Sequence, residues 1–290
     1  MEFPSDDTYL TGIYYGSWQD RLSKTCLDYF DYVITCIYSK LLQYFVDNDK
    51  SVDHFKLAND VFGAYATFWG SLIRGEKAGF FSSIMDQAKD FMYPCSEKFL
   101  QWLKSVKTKK KVFLITGSHA SVMPHIVEAT MGPDWKTYFD LTITFASKPT
   151  FWSGQTPFSA VHGTMEGEEI QYTDIQKGCI YSKGNFNDLQ KFIQTLPGTN
   201  KDGKFLYIGD NVIQDVYLPS KLPNIYSISI SEELSAEAGE CPDTQYLNSA
   251  FWGSYFYTNT ETGVKPTLWN RVTTENSLFA LPNVDCLADL

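Results

Sequence analysis

Apolar residues recur three or four positions apart through the first third of the chain. From residue 26 to 46 this spacing is almost unbroken, which is typical of an amphipathic helix. The same pattern predicts helices at 52–69 and 80–91. Residues 1–93 are therefore expected to be mostly helical.

After Pro94 short apolar runs alternate with helical spacing. The runs predict strands at 112–116, 141–145, 205–209 and 225–230. Helices are predicted at 96–106 with Ser96 as the N-cap, from 118 to about 130, at 185–196 and at 212–220. The polar stretch 163–172 is expected to be a surface hairpin or loop. Strands and helices in this order predict an α/β fold with a parallel sheet and right-handed crossovers.

Composition and charge narrow the possible functions. The 290 residues are 43% hydrophobic and 20% charged, so the chain can bury a core. A net charge of -10 argues against a broad nucleic-acid surface. Six scattered cysteines, with no C-x-x-C pair, indicate reduced thiols. Neither a signal peptide nor a membrane-spanning run is visible, and we expect a cytoplasmic protein with no nucleic-acid or membrane partner.

Polar residues that suit phosphate follow the first two predicted strands. Thr116, Gly117 and Ser118 end one strand and are expected to open a helix, where hydroxyls and free N–H groups can bind an anion. Lys148 follows the next strand and could neutralise a phosphate. Each signal has an ordinary alternative, because Thr and Ser are common N-caps and a loop lysine is usually solvated.

Two aspartates follow the strand at 205–209. Asp210 comes directly after the closing glycine, and Asp215 lies five positions further on. In open α/β folds ligands bind at the carboxyl ends of the strands, and carboxylate oxygens suit a hard cation such as Mg²⁺. The alternative is that Asp210 caps the next helix and Asp215 lies on its surface.

Taken in order, these signals resemble motifs II, III and IV of the haloacid-dehalogenase-like phosphatases. Four segments resemble the cytosolic 5'-nucleotidase branch of that family: FLITGS at 113–118, YFDL at 138–141, ASKPTFW at 146–152 and LYIGDNVIQD at 206–215. The resemblance implies a haloacid-dehalogenase-like parallel sheet flanked by helices. It also implies a partial helical cap at 1–93, a core at 94–235 and a C-terminal extension with aromatic segments at 236–290.

The resemblance also implies a role for each candidate residue. Thr116 would bind the transferring phosphate, with Gly117 and Ser118 beside it, and Lys148 would steady the phosphate. Asp210 would bind Mg²⁺, with Asp215 in or next to the metal shell. Many relatives carry Asn where this chain has Gly117. The resemblance implies a small phosphate monoester, such as a nucleoside monophosphate, as the substrate.

The family's first motif, Asp-x-Asp-x-Thr at the end of the first strand, has no convincing counterpart. Asp47 and Asp49 form the one Asp-x-Asp pair in the sequence. They follow a helical pattern, which predicts a helix-ending turn. We therefore expect a chain that begins inside the cap, lacks the central strand of the sheet, and leaves strands 112–116 and 205–209 unpaired with each other.

Three functions remain open from the sequence. The first is a Mg²⁺-dependent 5'-nucleotidase-like hydrolase by family, with this chain catalytically incompetent because the nucleophile is absent. The second is an active phosphatase that uses Asp47 and Asp49. The third is a non-catalytic binding or regulatory protein.

Overall fold

The structure, a computed structural model, describes residues 29–73, 86–148, 150–200, 202–237 and 254–290. The chain divides into two units, with a boundary between Met92 and Tyr93. The domain boundaries expected after residues 93 and 235 stay predictions. No helix in the described ranges is both long enough and apolar enough to cross a membrane.

The first unit is helical where it is described. Its helices are α1 (Tyr29–Asp47), α2 (His54–Ile73) and α3 (Ala88–Phe91). Buried Ile34 on α1 packs with buried Leu57 and Val61 on α2. The two long helices expected here are confirmed. Residues 80–85 of the third predicted helix, like residues 1–28, lie outside the described ranges.

The second unit alternates strands with helices. Its strands are β1 (Phe113–Ile115), β2 (Leu141–Thr144), β3 (Phe158–His162), β4 (Met165–Ile170), β5 (Ile180–Lys183), β6 (Phe205–Gly209), β7 (Ile225–Ile230), β8 (Tyr257–Thr260), β9 (Gly263–Pro266) and β10 (Ala280–Leu281). Its helices are α4 (Glu97–Lys109), α5 (Met123–Met131), α6 (Thr150–Ser153), α7 (Phe186–Thr195), α8 (Leu218–Ser220), α9 (Glu233–Ala236) and α10 (Leu268–Asn276). A π-helical turn, Val212–Tyr217, follows β6, and short 3₁₀ turns cover Trp135–Tyr138, Tyr172–Asp174 and Val284–Asp289.

Eight of these strands form two sheets, and β8 and β9 form a separate antiparallel pair. One has the order β1-β2-β5-β3-β4, in which β1, β2 and β5 are parallel and β3 and β4 form an antiparallel hairpin. The other has the order β10-β7-β6 and is parallel throughout. The α/β class with a mainly parallel sheet flanked by helices is thus confirmed. All four strands predicted from the sequence are present, and the polar stretch 163–172 forms part of the β3–β4 hairpin. The prediction omitted β3, β5 and β10.

The edges of β1 and β6 are the feature that positions the candidate site. Each strand is the last in its sheet, and the two are not hydrogen-bonded to each other, which confirms the unpaired arrangement expected from the sequence. Side chains of both strands, Phe113 and Ile115 from β1 and Phe205 and Tyr207 from β6, pack against one core cluster. The two sheets are therefore joined at this point through side chains.

The helix after β1 begins later than expected. It was predicted to open at Ser118, but α5 starts at Met123. The backbone N–H groups of Val122 and Met123 both donate to the His119 carbonyl, at 3.0 and 2.9 Å, so a tight turn separates the strand from the helix. The Thr116 segment therefore ends in a turn, and the prediction of a helix N-terminus there is wrong.

Candidate functional site

A buried ion pair lies where the two sheets meet. The Lys148 Nζ atom is 2.6 Å from Asp215 Oδ1, and the two side chains are only 8% and 4% exposed. Lys148 follows β2 in the first sheet, whereas Asp215 follows β6 in the second. The pair therefore connects the carboxyl ends of strands from both sheets.

The segment after β6 holds the Asp215 carboxylate in place. Asp215 Oδ2 accepts the backbone N–H of Asn211 at 3.2 Å. The Asn211 side chain in turn caps the π-helical turn, since its Oδ1 accepts the N–H groups of Ile213 and Gln214. The cap is thus Asn211, and the alternative in which Asp210 caps and Asp215 lies on the surface is wrong. Asn is a favoured N-cap residue, and this was the signal that could have identified it.

Gly209 permits the close approach of Asp215 to the end of β6. A Cβ atom at Gly209 would lie 2.6 Å from Cβ, Cγ and Oδ2 of Asp215, nearer than real Cβ contacts allow. The small residue before Asp210 is therefore required by packing. At the end of β6, Gly209 therefore leaves room for the Asp215 side chain, and Asp210 places a second carboxylate directly after the strand.

Tyr207 is part of the site, although the sequence reasoning did not single it out. Its hydroxyl oxygen accepts a hydrogen bond from Lys148 Nζ at 3.1 Å. The same hydroxyl donates to the Ile115 carbonyl of β1 at 3.5 Å, a long bond. Tyr207 therefore reaches from the edge of β6 to the edge of β1. Only its position in the strand next to Asp210 could have indicated this.

The environment of Tyr207 keeps its hydroxyl neutral. Burial raises the pKa of Tyr207 well above its usual range, and the negative charges of Asp215 and Asp210 raise that pKa further. An indole ring supports the phenol, with Trp152 edge-on at 4.9 Å between ring centroids. Trp152 is fixed by its own indole N–H, which donates to the Gln214 carbonyl at 2.7 Å.

The turn after β1 is joined to the segment that carries Lys148. The Thr116 carbonyl accepts the Ala146 N–H at 2.9 Å, and the Ser118 carbonyl accepts the Phe145 N–H at 2.8 Å. Thr116 Oγ1 accepts the Ser118 N–H at 3.1 Å, which leaves the hydroxyl hydrogen available to donate. Gly117 and Ser118 are exposed. This turn thus presents accessible hydrogen-bond donors beside the segment that leads from β2 to Lys148.

The carboxylates of the site could supply some of the ligands of a hard cation, but not all of them. Asp210 is exposed to solvent. The two oxygens of the buried Asp215 accept hydrogen bonds from Lys148 and from Asn211. Within the described ranges no group of three or more Asp, Glu, His or Cys residues is placed to enclose a metal ion. Mg²⁺ often binds through one or two carboxylates, with waters and phosphate oxygens completing its shell. The donor set fits that mode, with Asp210 as the accessible ligand.

The Asp47 and Asp49 pair has the predicted form of a helix-ending turn. α1 ends at Asp47, whose carboxylate accepts a hydrogen bond from Gln43. The N–H groups of Asn48 and Asp49 return to the carbonyls of the last helical turn, and Asp49 has a φ of 48°. No strand leads into this turn, so it lacks the local structure of a strand-end nucleophile.

The sequence is similar to those of known proteins. The model of the 5' nucleotidase family matches residues 9–259. The chain is similar to human 5'-nucleotidase domain-containing protein 1, with 26% identity over 91% of this chain and 64% of that protein. The bovine protein of the same name is also 26% identical, over 77% of this chain and 57% of its own length. Human 5'-nucleotidase domain-containing protein 2 is 25% identical, over 79% of this chain and 42% of that protein. The chain thus spans less than two thirds of the length of these relatives.

Proposed function

The chain belongs to the 5' nucleotidase family, and on that premise we propose that its Lys148–Asp215 site binds a phosphate monoester together with Mg²⁺. The observation that carries the proposal is the buried Lys148 ammonium, held between Asp215 and Tyr207 at the carboxyl ends of β2 and β6. A buried lysine with fixed partners at this edge of an α/β sheet is suited to bind an anion.

The donors for phosphate come from two segments. The Thr116 hydroxyl and the exposed turn at Gly117 and Ser118 offer hydrogen-bond donors, and Lys148 offers a positive charge. Hydrogen bonds to charged oxygens are stronger than neutral ones. The names of the relatives suggest a nucleoside 5'-monophosphate as the substrate class.

The charges of the site explain why a cation would be needed. Lys148 carries one positive charge against two carboxylates, Asp210 and Asp215, so an incoming phosphate dianion meets a net negative site. Mg²⁺ bound through Asp210 would reverse that balance and supply electrostatic stabilisation to phosphate oxygens. Lys148, held in place by Asp215, would then orient the anion.

We further propose that this chain does not turn its ligand over. Family catalysis requires an attacking carboxylate that forms an aspartyl-phosphate. The one Asp-x-Asp pair in the sequence, Asp47 and Asp49, forms a helix-ending turn. The function supported best is therefore a phosphate-binding member of a hydrolase family.

Calorimetric titration of adenosine monophosphate into the protein with Mg²⁺ tests the proposal. We expect saturable binding that Lys148→Met abolishes. Lys177→Met is the matched control, because Lys177 pairs with Asp140 before β2, at the opposite end of the strand from Lys148. Binding that survives Lys148→Met, or is lost equally in the control, contradicts the proposed site.

A phosphate-release assay tests the absence of turnover. We expect no release above background. Steady release that disappears in Asp210→Asn would show an active enzyme at this site. Release that also disappears in Asp47→Asn would identify Asp47 as the nucleophile.

A further inference from the structure

Two partners of different charge hold the Lys148 ammonium. Asp215 Oδ1 accepts from it at 2.6 Å and carries a negative charge, whereas the Tyr207 hydroxyl oxygen accepts at 3.1 Å and is neutral. An ammonium has three N–H donors. These two bonds fix its position and leave a third donor for a ligand.

The neutral partner is fixed more rigidly than a surface hydroxyl would be. The Tyr207 ring packs against Trp152, and its hydroxyl lies at the edge of β1 near the Ile115 carbonyl. The Lys148 Nζ atom is also 5.6 Å from the centre of the Tyr207 ring, within the range of a cation–π contact. Tyr207 therefore holds Lys148 through two kinds of interaction, and neither requires an ionised partner.

The two partners respond differently to a second cation. A divalent ion near Asp210 and Asp215 competes with Lys148 for the Asp215 carboxylate and repels the ammonium. The bond to Asp215 is weakened as a result. The bond from Lys148 to Tyr207 has a neutral acceptor, so it remains available even though the Tyr207 hydroxyl also hydrogen-bonds with Asp215.

We propose that Tyr207 is a positioning residue that retains Lys148 in the site when a divalent cation engages the carboxylates, so that cation and phosphate bind cooperatively. This inference rests on the proposed phosphate site. Without the Tyr207 hydroxyl, Mg²⁺ would displace the lysine, and the gain in phosphate affinity that Mg²⁺ provides would be reduced.

The test measures the affinity for inorganic phosphate by calorimetry across a series of Mg²⁺ concentrations. The full chain is compared with Tyr207→Phe and with Tyr181→Phe. Tyr181 on β5 loses a comparable bond, since its hydroxyl accepts the Gln176 N–H at 2.9 Å, but it lies outside the site. Thermal melts followed by circular dichroism check that the loss of a hydroxyl lowers the stability of the two variants by a similar amount.

The expected result is that Mg²⁺ increases the phosphate affinity of Tyr207→Phe less than it increases that of the other two proteins. At the lowest Mg²⁺ concentration all three proteins bind phosphate within about twofold of each other. At saturating Mg²⁺, Tyr207→Phe binds roughly tenfold more weakly than the other two, which corresponds to one hydrogen bond to a charged group.

Two results overturn the inference while leaving the phosphate site standing. Equal weakening of Tyr207→Phe at every Mg²⁺ concentration would mean that the hydroxyl only shapes the site. No weakening at any concentration would mean that Asp215 alone holds Lys148. If the unchanged protein binds no phosphate at saturating Mg²⁺, the proposed function fails, and this inference fails with it.

Discussion

Replacing Asp215 by Asn tests the buried ion pair most directly. The change keeps the shape of the side chain and leaves a carbonyl oxygen to accept the Asn211 N–H, but it removes the charge opposite Lys148. The Lys148 side chain is only 8% exposed, so the ammonium cannot reach bulk water without moving. Breaking a buried pair from one side leaves an uncompensated charge and costs about 3–5 kcal/mol.

The loss of stability should be large enough to measure in two ways. With about 2–4 °C of melting temperature per kcal/mol for a unit of this size, a loss of about 3 kcal/mol lowers the melting temperature by roughly 6–12 °C. Urea unfolding should show a lower midpoint with an unchanged slope. Hydrogen exchange should show faster exchange in the peptides that contain β6.

A double-mutant cycle separates the pair from other effects. Adding Lys148→Met to Asp215→Asn removes the stranded charge, so the double variant should recover about 2 kcal/mol or more relative to Asp215→Asn. Lys98→Met is the control, because Lys98 and its partner Asp289 are both exposed, and this change should cost less than about 1 kcal/mol. A loss below about 1 kcal/mol in Asp215→Asn, or no recovery in the double variant, would refute the reasoning.

Further predictions concern the backbone around the site. Gly209→Ala should displace the Asp215 carboxylate, since the new Cβ would lie 2.6 Å from it, and should weaken phosphate binding as strongly as Asp215→Asn does in the same titration. Gly184→Ala, which places a Cβ 2.2 Å from the Phe158 ring, should destabilise the fold by more than about 2 kcal/mol in urea. Gly178→Ala has a similar φ but nothing within 4 Å, so it should cost only about 1 kcal/mol of backbone strain. The unpaired edges of β1 and β6 should exchange their amides faster than β2 and β7, and the chain should melt below about 45 °C and aggregate; slow exchange at both edges with a melt at about 45–65 °C would contradict this.

Local signals predicted much of the fold. Ser96 was identified as a cap, and its side chain does accept the Phe99 N–H at the start of α4. The sequence also predicted that β1 and β6 would not pair with each other, and the sheet order confirms this. Strands flanked by glycine and by helical spacing were found at nearly their observed bounds.

The elements that were missed depend on contacts between distant residues. β5 has only four residues, and its strand character comes from pairing with β2 and β3. The late start of α5 depends on the turn closed by the His119 carbonyl, whereas Thr116 and Ser118 alone looked like caps. Tyr207 fits an ordinary buried strand position, and its role depends on a lysine 59 positions earlier in the chain.

The π-helical turn after β6 has a consequence for how such sites can be traced between diverged sequences. Its N–H groups return to carbonyls five residues earlier, as Leu218 does to Ile213, and Asp215 folds back onto Asn211 within this turn. One inserted or deleted residue between the two aspartates would rotate Asp215 away from Lys148. The long stretch between Lys148 and Asp210 instead contains the β3–β4 hairpin, whose exposed tip can change in length freely. A search pattern for this site should therefore hold the short aspartate spacing fixed and let the long spacing vary.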